Sequence, residues 1–139
     1  MRERGGDELT ADEIGSVFNQ CEDLNVLIVC FLGGEPLIRD DILKILHSAA
    51  PRRFSKYLTT NGHFITGDVA AALKDARFGS VNVSLHGPAD IHDRHCGSKG
   101  AFRKTVSGIE TLKRHGLPVN IHFVLSRLNA DHLDETLKI

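Results

Sequence analysis

Apolar residues recur along this chain in two alternating periods. Ile14, Val17, Phe18 and Cys21 stand at i, i+3, i+4 and i+7, which places them on one face of a helix. That helix opens with Thr10-Ala11-Asp12-Glu13, a capping box in which the threonine and glutamate side chains satisfy orphan backbone donors. Asn25 to Leu32 comes next, nearly continuous apolar and β-branched, and predicts a strand covered on both faces in a parallel sheet. Ile42, Ile45, Leu46 and Ala49 mark a second amphipathic helix ended by Pro51, and Phe54 to Thr60 reads as a second strand. Val69, Ala72, Leu73 and Ala76 mark a third helix with Thr66 as its cap, then Val81 to Leu85 a short alternating strand. Phe102, Val106, Ile109 and Leu112 carry a fourth helix that stops at Gly116, with Pro118 just beyond. Val119 to Leu125 is the last strand, and Asn129 is placed to cap a last helix.

Strands beginning near 26, 54, 81 and 119, each followed by a helix, form a βα repeat. Its period is roughly 30 residues, the usual size of such a unit. The expected fold class is therefore α/β, with four parallel strands, right-handed crossovers and flanking helices. A closed eight-unit barrel takes about 250 residues. This chain has 139, so it is expected to be either a small open sheet or part of a larger barrel, and the helix ahead of the first strand favours the latter.

Composition narrows the function classes. Seventeen Lys and Arg against eighteen Asp and Glu give a net charge of -1, unlike a protein that holds nucleic acid phosphates. The longest apolar run, Val26 to Leu32, is far shorter than the roughly 20 residues of a membrane span. Charge at Arg2, Glu3 and Arg4 stands where a signal peptide would be apolar. A soluble cytoplasmic protein with neither nucleic acid nor membrane as partner is expected. Cys21, Cys30 and Cys96 are too few and scattered for a disulfide framework, and none forms a C-x-x-C pair or a cluster-binding loop.

Ligands of parallel α/β folds bind beyond the carboxyl ends of the strands. Four segments fall there: Gly33-Gly34-Glu35-Pro36, Thr59-Thr60-Asn61-Gly62, Ser84-Leu85-His86-Gly87-Pro88 and Ser126 to Asn129. Paired glycines let backbone approach a ligand closely, and with the Glu35 carboxylate at the pocket edge they suit an ammonium group. A tight strand-to-helix turn explains the same residues equally well. Neither G-x-G-x-x-G nor a Walker lysine motif is present, which disfavours a nucleotide cradle of those types. Ser84 could meet a sugar hydroxyl or simply bond local backbone. Thr60 and Asn61 share that ambiguity, because Asn-Gly is above all a turn signal. His86, His92, Asp93, His95 and Cys96 include zinc-binding residue types, but their spacing fits no established pattern, and a solvated loop accounts for them as well. Arg52, Arg53, Lys113 and Arg114 read as solvated or dipole-matching charge.

In this order and spacing the loop motifs resemble the core of radical S-adenosylmethionine (SAM) enzymes, over nearly the whole chain. Gly33-Gly34-Glu35-Pro36-Leu37 matches the family's GGEP segment, which the resemblance implies holds the SAM amino group. Thr59-Thr60-Asn61-Gly62 is similar to the family's TNG turn. Ser84 occupies the place of a serine that contacts SAM ribose, and Thr60, Asn61 and His86 become substrate-pocket candidates. His86 itself stands where many relatives have Asp. His86-Gly87-Pro88, His92-Asp93, Gly97, Gly100-Ala101-Phe102 and Asn129 look most like the branch that modifies peptides, often called SPASM-like. The implied fold is part of a (β/α)6 TIM-like barrel.

The resemblance breaks at the C-x-x-x-C-x-x-C motif, whose thiolates bind a [4Fe-4S] cluster in the family and which is absent here. The segment Arg2 to Thr10 resembles the stretch just downstream of that motif, so residues 1–139 are expected to be a partial core domain without its cluster-binding unit and C-terminal strands. An intact relative would use an electron from the cluster, fed by a reductant, to cleave SAM and form a 5′-deoxyadenosyl radical. That radical would abstract hydrogen from a peptide or small-molecule substrate. This chain alone is expected to be inactive. The alternatives are a non-catalytic SAM-binding remnant and a small metal-dependent hydrolase built on His86 to Cys96. An incomplete barrel would also leave apolar edges and helix faces uncovered.

Overall fold

The computed structural model describes residues 8–139, so most of the Arg2 to Thr10 segment lies outside the described residues. The capping box forms as the sequence predicts. Thr10 Oγ1 accepts the Glu13 N–H, the Glu13 carboxylate accepts the Thr10 N–H at 2.8 Å, and α1 runs Ala11–Asp23. Ala11 and Phe18 are its buried residues, Ile14 and Cys21 pack beside them, and Val17 turns outward at 40% exposure.

The chain then alternates as expected through β1 (Ile28–Phe31), α2 (Ile42–Ala49), β2 (Ser55–Thr60), α3 (Gly67–Asp75) and β3 (Phe78–Ser84). It continues through α4 (Ala89–Cys96), α5 (Ala101–Arg114), β4 (Val119–His122) and α6 (Leu133–Thr136). A 3-10 turn, Pro36–Ile38, links β1 to α2. The strands form one parallel sheet in the order β1-β2-β3-β4. Sequential order with right-handed crossovers puts the connecting helices on one face. Leu58, Val81 and Val83 of the sheet accordingly pack with Leu46, Leu73 and Leu112 of α2, α3 and α5 in the main core. A second cluster joins α1 to the sheet through Phe18, Phe31 and Phe54, with Phe18 ring centroids 5.8 and 5.6 Å from the other two.

Several expectations change. β1 is not covered on both faces: it is an edge strand with alternating burial, and Leu27 and Ile28 are 81% and 55% exposed. Its hydrophobicity reflects Val29 and Phe31 facing α1, while the other face has no cover among the described residues. The solvated loop expected around His92 is α4, which begins after Pro88 and stops at Gly97 in the left-handed conformation (φ 62°), with His92 1% exposed. β4 ends at His122, leaving Val124 and Leu125 outside the ladder and exposed. The buried stripe of α5 is Ala101, Thr105, Gly108 and Leu112, not the larger Phe102, Val106 and Ile109. Val106 and Ile109 are half-buried, Ile109 packing against the main core, and both border an apolar groove of about 630 Å³ with Leu117, Ile121 and Leu133.

The rotation of α5 has a steric cause. Gly108 packs directly on the backbone of Gly62, and a Cβ at Gly108 would overlap the Gly62 carbonyl oxygen. Alanine normally favours a helix interior over glycine by about 1 kcal/mol. Gly108→Ala is nevertheless expected to destabilise the protein by about 1–3 kcal/mol, because backbone cannot yield as a side chain can. Urea titration should show a lower midpoint at unchanged slope, with exposed Ser107→Ala as the helix-propensity control. A Gly108→Ala protein at least as stable as its parent would contradict this packing.

Candidate functional site

The C-terminal ends of the four strands bring the predicted loops together, and buried side chains bind them to one another. Glu35 begins the chain of ties. Its Oε1 accepts the Leu37 N–H at 3.1 Å and the Thr60 hydroxyl at 2.8 Å, and its Oε2 accepts the Asn61 N–H at 2.7 Å. Three of the roughly four acceptor positions of a carboxylate are thereby filled. Glu35 is a clamp between the first and second loops before it is a ligand. Thr60 is 2% exposed and its Oγ1 also accepts the Gly62 N–H, while Asn61 Oδ1 accepts the His63 N–H. Both candidates therefore shape the turn, and Thr60 faces the core rather than a substrate space.

From the second loop the ties continue through α5 and α4. Thr105 donates its hydroxyl to Asn61 O at 2.8 Å, leaving its oxygen to face His92 Nε2 at 3.4 Å. On its other side His92 Nδ1 accepts the His86 N–H at 3.1 Å, which places the proton of the neutral ring on Nε2. His86 is 8% exposed, and its Nδ1 accepts the Val124 N–H at 3.2 Å. Burial, aided by neighbouring His95, His92 and His122, lowers its pKa to about 4. Burial likewise lowers His92, and it lowers His63, whose neighbour Lys104 acts in the same direction.

Asn129 closes the fourth loop. It caps no helix; it is fully buried and saturated, accepting from the Ser126 N–H and hydroxyl at 2.7 and 3.1 Å and donating to His86 O and Val124 O at 3.0 and 2.9 Å. Asp93 ties α4 to α5 by accepting the N–H groups of Gly100 and Phe102, which hold its carboxyl below the usual range. Within the His86 to Cys96 constellation, His86, His92 and Asp93 thus have structural roles. Among the described residues no group of three or more His, Cys, Asp or Glu side chains is arranged to hold a metal ion.

Three predicted positions remain open. Gly33 (φ 144°) and Gly34 come directly after β1 with nothing within 4 Å of where a Cβ would stand, and neither makes a backbone hydrogen bond in the turn. Ser84 ends β3 on the face away from the core, and its hydroxyl has no hydrogen-bond partner among the described residues. Open peptide groups and an unpartnered hydroxyl at the same end of the sheet, two strands apart, fit a ligand with an amino acid end and a sugar, as in SAM. The cysteines do not fit a [4Fe-4S] cluster: Cys21 lies in α1, Cys30 in β1 and Cys96 at the end of α4.

Sequence reasoning took Thr59 only as part of a turn and passed over Ser80, Asn82 and Asn120; all four line the uncovered sheet face. The signal was present in the alternation of Val81-Asn82-Val83-Ser84 and Val119-Asn120-Ile121-His122, where every second residue is polar.

A one-sided parallel β/α sheet, its ligand-facing loops gathered at the strand carboxyl ends, is the architecture of a partial TIM-like barrel. The chain belongs to the Radical SAM superfamily, whose family model matches residues 1–139. It is 31% identical over 133 residues to an AdoMet-dependent heme synthase of Methanosarcina barkeri, covering 95% of this chain and 38% of that protein. To a pre-heme d1 synthase of Dinoroseobacter shibae it is 30% identical over 132 residues, covering 95% and 33%. The chain therefore spans about a third of the length of these curated relatives. The fold matches crystal structures of SuiB from Streptococcus suis, with TM-score 0.81 at 20% identity over 96% of this chain and 31% of SuiB. The SuiB form bound to SAM matches at TM-score 0.76 and 19% identity, covering 94% and 31%. The form bound to the precursor peptide SuiA matches at 0.75 and 18%, covering 97% and 31%.

The buried ties have two measurable consequences. Asn129→Ala strands the His86 and Val124 carbonyls, and a loss of about 2–3 kcal/mol is expected. Asn129→Asp, which turns two donors toward acceptors, should lose at least as much by urea unfolding. Acidification is the second. Folded-state pKa values of His63, His86 and His92 lie below the ordinary 6.5, so the unfolded chain takes up protons first. Their contribution should be complete above about pH 6.5 and fall as pH drops toward the folded value of about 4 for His86. A urea midpoint unchanged between those limits would refute it.

Proposed function

We propose that these residues form the SAM-holding and substrate-facing part of a radical SAM enzyme acting on a peptide or small molecule in the cytoplasm. The observation that carries this is that the exposed Gly33-Gly34 peptide groups and the free Ser84 hydroxyl stand at the same end of the sheet, two strands apart. Membership of the superfamily and the fold match to a SAM-bound neighbour support it.

In this reading the backbone of Gly33 and Gly34 receives the amino group of SAM, and Ser84 Oγ meets a ribose hydroxyl. Glu35 holds the glycine loop against the second strand and offers its remaining acceptor position to the same ammonium. Pro36 sets the turn that aims Glu35 inward. When bound and reduced by one electron, SAM supplies the hydrogen-abstracting equivalent. The three cysteines of this chain do not hold a cluster, so turnover is assigned to a polypeptide that also bears the cluster loop and accepts electrons from a reductant. These residues contribute binding, orientation and the exclusion of water. A peptide substrate has support in the SuiA-bound neighbour and in the loop motifs; the curated relatives, by their names, act in heme synthesis.

Titration calorimetry with SAM tests the reading. Binding should be measurable, and Ser84→Ala should weaken it about 5-fold, the worth of one hydrogen bond of about 1 kcal/mol, while leaving the urea midpoint in place. Absence of SAM binding by the parent protein would overturn the proposal.

A further inference from the structure

The face of the sheet turned away from the helices carries an ordered array of neutral polar groups. Asn82 Nδ2 donates to Thr59 Oγ1 at 3.3 Å, and Asn120 Nδ2 donates to both Asn82 Oδ1 at 3.1 Å and Ser80 Oγ at 3.2 Å. The ladder crosses three adjacent strands, since Asn82 stands opposite Thr59 on β2 and Asn120 on β4. Ser84 continues the row on β3 toward the glycine loop.

A sheet face evolved only for water has no need of this composition. Asparagine is depleted from strands, because its side chain competes for backbone hydrogen bonds and packs poorly on a pleated surface. Solvated faces are served by long charged side chains or threonine. Here no Lys, Arg, Asp or Glu occupies a strand position on this face. The ladder's own side chains are short, and each orients the next.

The capacity left over by the ladder is specific. Among the described residues, the hydroxyl protons of Thr59 and Ser80 and the second Asn82 amide proton have no acceptor, and Asn120 Oδ1 has no donor. Donors and an acceptor a few ångströms apart, with no charge, match the C=O and N–H of an amide. They do not match a carboxylate, which has no N–H to offer the Asn120 acceptor.

We propose that this ladder binds a neutral amide group of the substrate, such as a peptide unit, and selects against polycarboxylate substrates. The proposal rests on the radical SAM reading for what the bound group is used for. Its chemistry rests on the ladder alone.

The test uses the full chain labelled with nitrogen-15, with the side-chain amide signals of Asn82 and Asn120 as reporters. The neutral probe is N-acetyl-tetra-alanine amide, and coproporphyrin serves as the tetracarboxylate. The peptide is expected to shift both signals, and Asn82→Asp to weaken its binding at least tenfold, with SAM affinity changed less than twofold. Asn120→Ser, which removes the central donor without adding charge, should weaken the peptide similarly; the two variants guard against loss of fold in either. Shifts caused by coproporphyrin and not by the peptide, or by neither probe, would overturn the proposal. A parallel loss of SAM affinity in Asn82→Asp would assign the ladder to the cofactor and overturn it too. Peptide binding on the ladder without any SAM binding would sink the radical SAM reading and leave the amide site standing.

Discussion

A parallel sheet delivers every strand-to-helix loop to the same end, and those loops must satisfy their backbone groups without a ladder to join. In this protein that constraint is met by a few buried side chains acting between loops. Glu35 binds the first loop to the second, Thr105 and His92 carry the connection from the second to the third, and His86 and Asn129 close the third on the fourth. Each member is oriented by the one before it, and the histidines have to stay neutral to keep their places as acceptors. Polar networks of this type are stable only when nearly complete, because an unpaired buried group costs about as much as several satisfied ones contribute.

The division of labour that results explains which motif residues are open and which are not. Glycines 33 and 34 and Ser84 remain free because neighbouring residues satisfy the structure around them. Residues that look ligand-like in one dimension, including Thr60, Asn61, His86 and Asp93, are engaged in holding the platform. Membership of the Radical SAM superfamily is shared with relatives about three times the length of this chain.

Much of this was legible in the chain. Helices α1, α2 and α3 were marked by apolar spacing and by caps at Thr10 and Thr66, since these signals are local and the structure obeys them. The position of the glycine loop and Ser84 at strand ends was legible because the apolar patterns of β1 and β3 mark where those strands stop. What escaped depends on partners distant in sequence. The clamp by Glu35 joins residues 25 and 26 positions apart, and the burial of His92 requires α5 as a lid. The α5 face was misjudged because size suggested Val106 and Ile109, whereas the close approach of two backbones selected Gly108 and Thr105. β1 was misjudged because a continuous apolar run does not say which of its faces receives a neighbour.

The contact between Gly108 and Gly62 acts as a mechanical stop. Two main chains in direct apposition have no side chain between them to compress, so α5 limits how closely the second loop can approach it. Through Asn61 and Thr60 that limit is passed to Glu35, and from Glu35 to the glycine pair. The tolerance of a loop on the surface is thus inherited from a helix interior on the far side of the sheet. A displacement of α5 would reach the second loop at Gly62 and Asn61 and, through Glu35, the first loop that carries Gly33 and Gly34.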